Sequence, residues 1–201
     1  MSNLNGASVP VRQDVIETEQ RHFADLAAPG AVLSGEDRIA LAEAARSGDT
    51  DSALQDFAHR LYTSPGSVHA EHVRAAADAE SDAAAVEAIG IVARLRAIDR
   101  VHEVVGVDLE PLPEPLPEPP TGEITPGLKL RRGHVPMPPG PIPVTLDLVP
   151  SEGDALRAMF GGLYMTEHEM GDPHFHREPG LNTPQLETIA ARISLLNECF
   201  Y

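Results

Sequence analysis

The chain has 201 residues, 42% hydrophobic and only 4% aromatic, with 15 basic against 31 acidic side chains and a formal net charge of −16. Such a charge repels phosphate backbones and anionic bilayers, which argues against nucleic acid and membrane surfaces as partners. No apolar run approaches the roughly 18 residues of a membrane span, and the polar start Met1-Ser-Asn-Leu-Asn-Gly lacks the basic and apolar regions of a signal peptide. The expectation is a cytoplasmic chain, with apolar content for one domain to one and a half.

Alanine and leucine carry most of the apolar content, which favours packed helices over sheets. In the first hundred residues the first helix signal is Ser34-Gly-Glu-Asp, a capping serine with acidic residues in the first turn, for a helix over 34–46 that Gly48 stops. A second helix begins near Asp51, with Leu54, Phe57, Ala58, Leu61 and Tyr62 on one face, and ends at Ser64-Pro-Gly. A third, mostly alanine, spans 69–79. The longest covers 82–105. Its apolar residues, among them Val86, Ile91, Leu95, Ile98, Val104 and Val105, surround most of its circumference, so it belongs at the centre of a bundle, with Gly106 as its stop. His102 on this helix reads as a satisfied core or groove histidine.

At 110 the composition changes to alternating proline, and prolines continue to Pro143. This stretch cannot be helical and should run extended, as a semi-rigid linker or as a ligand for proline-recognising domains. Two helical patterns follow. Residues 151–164 carry Leu156, Met159, Phe160 and Leu163 on one face. Thr183 then caps a helix with Pro184 at its first position and Leu186, Ile189, Ala190, Ile193 and Leu196 as its stripe. These two helices are too little to bury a core alone, so they must pack on the first four, on a partner chain or on further sequence. The expected organisation is a helical unit over 1–109, a linker over 110–143 and a second unit over 144–201.

The single cysteine, Cys199, excludes an internal disulfide framework. Twelve positions separate it from Glu187, so on one straight helix the two side chains would point about 120° apart. They meet if the helix ends near Asn197 and Cys199 opens the next one. A helix N-terminus would there lower the thiol pKa, and Glu187 would face the thiol as a proton acceptor. The plainer alternative is a small buried hydrophobe and a solvated glutamate. His168, His174 and His176 lie among acidic residues, but their spacing fits no metal-ligand motif and Pro173 breaks the segment, so a polar surface loop is expected and no metal is assigned. Arg131-Arg132 is a local basic spot. There is no phosphate-binding glycine loop and no Gly-x-Ser-x-Gly, and no cofactor is expected.

Leu186-Glu187, an apolar-periodic helix and then Leu195-Leu-Asn-Glu-Cys199-Phe-Tyr201 resemble the alkylhydroperoxidase D and carboxymuconolactone decarboxylase family. In its peroxidase branch a glutamate is followed, after eleven residues, by Cys-x-x-Cys-x-x-x-His. Leu33 to Arg46 looks like a cysteine-less copy of the same helix, and residues 86–109 look like the long helix that follows. The resemblance implies an all-α fold of that type, with a degenerate N-terminal repeat and an incomplete second one. It implies reduction of a hydroperoxide by thiol–disulfide exchange, with a cellular dithiol as reductant and a homo-oligomeric assembly. Cys199 would be the resolving thiol and Glu187 the proton relay. Tyr201, beside the position of the second redox residue, would pack in the site or donate a hydrogen bond there. The second cysteine and the histidine are absent from the 201 residues, so the chain alone could not cycle between dithiol and disulfide. One expectation is that the codon after Tyr201 is UGA for selenocysteine, giving a Cys-x-x-selenocysteine motif. The alternative class is a helical interaction protein, or an inactive fragment, completed by a partner chain.

Overall fold

The computed structural model describes residues 2–131, 133–140, 144–176 and 180–196, and it is all-α. The described helices are α1 (Gln13–Ala27), α2 (Gly35–Ser47), α3 (Ala53–Thr63), α4 (Ala70–Ala79), α5 (Asp82–Val105), α6 (Pro150–Leu163), the single turn α7 (Glu167–Met170) and α8 (Thr183–Leu196). None of them is long and apolar enough to cross a membrane.

Helix α5 is the axis of the bundle. The Ser81 hydroxyl accepts from Ala84 N at its start, and Gly106, at φ 73°, closes it in the left-handed conformation that glycine adopts without strain. Val86, Ile91 and Leu95 are fully buried. α1, α2, α3, α4 and α6 all pack on α5, and neighbours in the order α4, α3, α2, α1, α6 also pack on one another. Ala42, Ala45, Ala58, Ala76, Ala85 and Ala88 are fully buried where these helices meet. Their small side chains fill the interior that bulkier residues would hold apart. Val104, expected in the apolar set, is instead 77% exposed, because it falls on the same face of α5 as the exposed Ala93 and Arg100.

Helix α2 has both halves of a capping box: Ser34 Oγ accepts from Asp37 N, and Asp37 accepts from Ser34 N. Helix α1 was not expected as a separate element. Its buried face is Ile16, Thr18, Glu19, His22, Leu26 and Ala27, half of it polar, so apolar periodicity does not reveal it. The cap of α8 is not Thr183 but Asn182, whose Oδ1 accepts from Gln185 N (3.0 Å) while Gln185 Oε1 accepts from Asn182 N (3.0 Å). Thr183 Oγ1 instead donates to Asp172 O (3.1 Å).

The proline-rich stretch forms no helix over 107–125, and it is tied to the bundle. Its non-proline N–H groups donate to the loop after α1: Leu116 N to Ala27 O (2.8 Å), Thr121 N to Gly30 O (2.9 Å) and Gly122 N to Ala31 O (2.8 Å). Thr125 N reaches Leu148 O (2.9 Å). The strap crosses at Gly35, where a Cβ would come within 2.7 Å of Leu116 O. Farther along, β1 (Lys129–Leu130) pairs antiparallel with β2 (Pro136–Met137). Val135, Leu146, Leu148 and Val149 then join the same apolar core as α2 to α5. Residues 144–163, up to the end of α6, thus pack on the first helices.

Candidate functional site

Of the three residues expected to carry redox chemistry, Cys199 and Tyr201 lie outside the described residues. Glu187 lies one turn into α8, and its Oε1 accepts a hydrogen bond from the Tyr164 hydroxyl at the end of α6 (2.8 Å). Burial, the hydrogen bond to Glu187 and the carboxylate charge push the Tyr164 hydroxyl up to about 12. The phenol therefore keeps its proton at neutral pH and acts as a fixed donor to the carboxylate.

A buried ionic cluster, which the sequence reading did not include, joins three helices. Glu152 on α6 accepts from Arg38 Nη1 of α2 (2.8 Å) through one oxygen and from Arg94 Nη2 of α5 through the other. Arg38 Nη1 also donates to Glu87 on α5 (3.0 Å), whose second oxygen accepts from Val32 N (2.7 Å). All four side chains are at most 3% exposed. Glu87 and Arg94 are seven residues apart, which places both on one face of α5. Gly90 lies between them: its carbonyl accepts from Arg94 Nε (3.1 Å), and a Cβ there would lie 2.2 Å from Glu152 Oε2. The missing side chain is what lets the α6 carboxylate sit against the α5 backbone. Burial raises the Glu87 carboxyl above its usual range, against the pull of Val32 N–H and Arg38.

His22 of α1 borders this cluster, 2% exposed. Burial and then the charge of Arg94 lower its pKa well below 6.5, so the ring is neutral at pH 7. Its Nδ1 faces Arg94 Nη1 at 3.4 Å and must be the acceptor, which puts the proton on Nε2. An open cleft of about 440 Å³ beside Arg38 and Arg94 is also lined by Arg21, Asp25 and Glu152. The cluster holds no nucleophile. Its two guanidinium and two carboxylate groups neutralise one another and fix the packing of α2, α5 and α6.

A second polar group brings Glu19 of α1, His102 of α5 and Glu110 of the strap together, with one ligand-type atom of each within 4.8 Å of the others. His102 is thus a buried histidine, as expected, but its neighbours are carboxylates. Nearby, Asp99 accepts from Arg46 (2.6 Å) and from the Tyr62 hydroxyl (2.7 Å), and burial with that hydrogen bond pushes Tyr62 up to about 12. His168, His174 and His176 lie on an exposed segment in which His174 N donates to Asp172 Oδ1 (2.8 Å) and His176 bridges Asn182. Among the described residues they join no group of potential metal ligands.

The sequence signal for the ionic cluster is the presence of Glu87 and Arg94 inside the otherwise apolar stretch 83–95 of α5. Comparison of the chain with protein-family models, with curated proteins and with solved structures finds no match.

Proposed function

We propose that this chain is part of a peroxide-reducing thiol–disulfide, or thiol–selenol, oxidoreductase of the alkylhydroperoxidase D-like type. The observation that carries the reading is the Tyr164–Glu187 hydrogen bond at the start of the helix leading to Cys199. A carboxylate held by a hydroxyl that does not ionise at neutral pH suits a proton relay. The reaction takes two redox groups. Cys199 is one, and the other is a thiol or selenol outside these 201 residues. That group, ionised, attacks the peroxide O–O bond and takes one oxygen as a sulfenic or selenenic acid, while the leaving alkoxide picks up a proton from water and departs as the alcohol. The Cys199 thiol then attacks that acid: Glu187 takes up the thiol proton and passes it to the leaving hydroxide, which departs as water as the disulfide or selenenylsulfide closes. A cellular dithiol reduces the bridge, and a homo-oligomer is the expected assembly.

The test starts by sequencing the transcript through the codon after Tyr201, then measures dithiol-coupled peroxide consumption by the full translation product. Cys199→Ser should abolish turnover, and Glu187→Gln should lower it about 100-fold. Turnover that survives Cys199→Ser would overturn the reading. A second reading, a non-enzymatic helical interaction protein, is favoured by the apolar face of α8, where Ile189 is 47% and Leu195 and Leu196 are each 65% exposed. Stable folding in a heteromeric complex, without peroxide consumption, would decide for it.

A further inference from the structure

We propose that Glu19, His102 and Glu110 form a binding site for a first-row divalent cation of the zinc or manganese kind. His102 is fully buried and Glu19 is 2% exposed, while Glu110 is half-buried and gives the group a side open toward solvent. His102 Nδ1 lies 2.7 Å from Asp108 O. A carbonyl oxygen only accepts, so Nδ1 carries the proton and Nε2 is directed at the Glu19 carboxylate. A ring N–H held by a backbone carbonyl is the arrangement that fixes the tautomer and orientation of a metal-ligating histidine.

The charges point the same way. Among the described residues neither Glu19 nor Glu110 has an arginine or lysine nitrogen within 4 Å. Arg46 donates through Nη1 to the Glu110 backbone carbonyl (2.9 Å) and through Nε and Nη2 to the Asp99 carboxylate. Two carboxylates and a neutral imidazole around a divalent ion sum to zero, which suits a site this buried. Among the described residues the side-chain hydrogen bonds to these carboxylates come from His102 Nε2 on Glu19 and from the Asn3 N–H on Glu110.

The spacing fits as well. Metal bonds of roughly 2.0–2.1 Å place tetrahedral ligands about 3.4 Å apart, so atoms already within 4.8 Å need close only by side-chain rotation. Imidazole with two carboxylates and no thiolate selects zinc, manganese or iron(II) over copper(I), and the imidazole disfavours magnesium. Three protein ligands leave a position for water. This site is independent of the redox reading above.

The experiment is equilibrium dialysis of the chelator-stripped full chain against Zn²⁺, Mn²⁺ or Mg²⁺, with elemental analysis. The result expected is one Zn²⁺ or Mn²⁺ per chain, undisturbed by Mg²⁺. Glu110→Gln, whose half-exposed side chain can still accept from Asn3 N–H, should weaken binding at least tenfold. A His168→Ala, His174→Ala double variant should bind as the parent does. The ¹⁵N resonance of His102 Nε2 should move to that of a metal-bound nitrogen in the parent. Binding insensitive to Glu110→Gln, binding lost in the double variant, or a His102 Nε2 resonance that does not move in excess Zn²⁺ would each overturn the proposal.

Discussion

Glu152 holds two buried guanidinium groups at once, so its removal should cost more than an ordinary surface ion pair. Glu152→Ala leaves Arg94 with only Gly90 O, the His22 ring and a distant Asp25 carboxylate at 3.9 Å. The expected loss is about 3–5 kcal/mol, read from urea denaturation at pH 7. A loss under about 1 kcal/mol would mean that water reaches the guanidinium and that the cluster is not desolvated. His22 gives a second prediction. Its folded pKa lies below the ordinary 6.5, so below pH 6.5 the unfolded chain takes up a proton that the folded chain does not. That stability is complete above pH 6.5 and is lost as pH falls toward the folded value, at no more than about 1.4 kcal/mol per pH unit. Glu87, with its raised pKa, acts in the opposite sense, losing stability as pH rises from 4.5 toward its folded value. The two are separated by comparing the parent with His22→Gln at pH 5.5 and 7.5. The gap in urea midpoint between the two pH values should shrink in the variant, and an unchanged gap would remove His22 from the account.

At the scale of the element, the helices whose limits are set by their own residues were readable, and those set by distant partners were not. Ser34, Gly48 and Gly106 end helices through bonds to backbone within four residues, and the sequence displays them directly. Helix α1 is different. Glu19 and His22 face His102 and Arg94, more than seventy residues away, so its buried face carries polar letters and no apolar stripe. The same separation hid the ionic cluster, in which Arg38 and Glu152 lie 114 positions apart. Glu187 was named from a motif, but its partner Tyr164 comes from another helix and left no trace in local pattern. Gly90 combines both levels. Alanine at a helix interior normally gains about 1 kcal/mol over glycine, yet here its Cβ would meet the Glu152 carboxylate at 2.2 Å. Gly90→Ala should therefore destabilise by about 1–3 kcal/mol in thermal or urea unfolding, against its intrinsic propensity. A stabilised variant would show that α6 can shift away from α5 without loss.

On the scale of the whole molecule, the residues after the proline-rich strap divide into two kinds. α6 is fastened to α1 and α5, with Glu152 in the ionic cluster and Arg12 Nη2 donating to Gly162 O (3.0 Å). α8 has its polar anchor at Tyr164 but presents Ile189, Leu195 and Leu196 to solvent. Composition and periodicity could name α8 as amphipathic. They could not say what covers its face, because that depends on a surface more than one element away. Amide exchange separates the cases, since protection follows burial and cooperative packing. In the isolated chain, α5 amides should exchange only through global unfolding, and α8 amides should exchange through local opening orders of magnitude faster. In the full translation product or in a partner complex, α8 protection should rise toward that of α5. If α8 is already as protected as α5 in the isolated chain, its apolar face is buried between copies, and sedimentation at the same concentration should then report a dimer or larger. A monomer with a fully protected α8 would contradict the packing described here, because nothing else in the described structure shields that face from water.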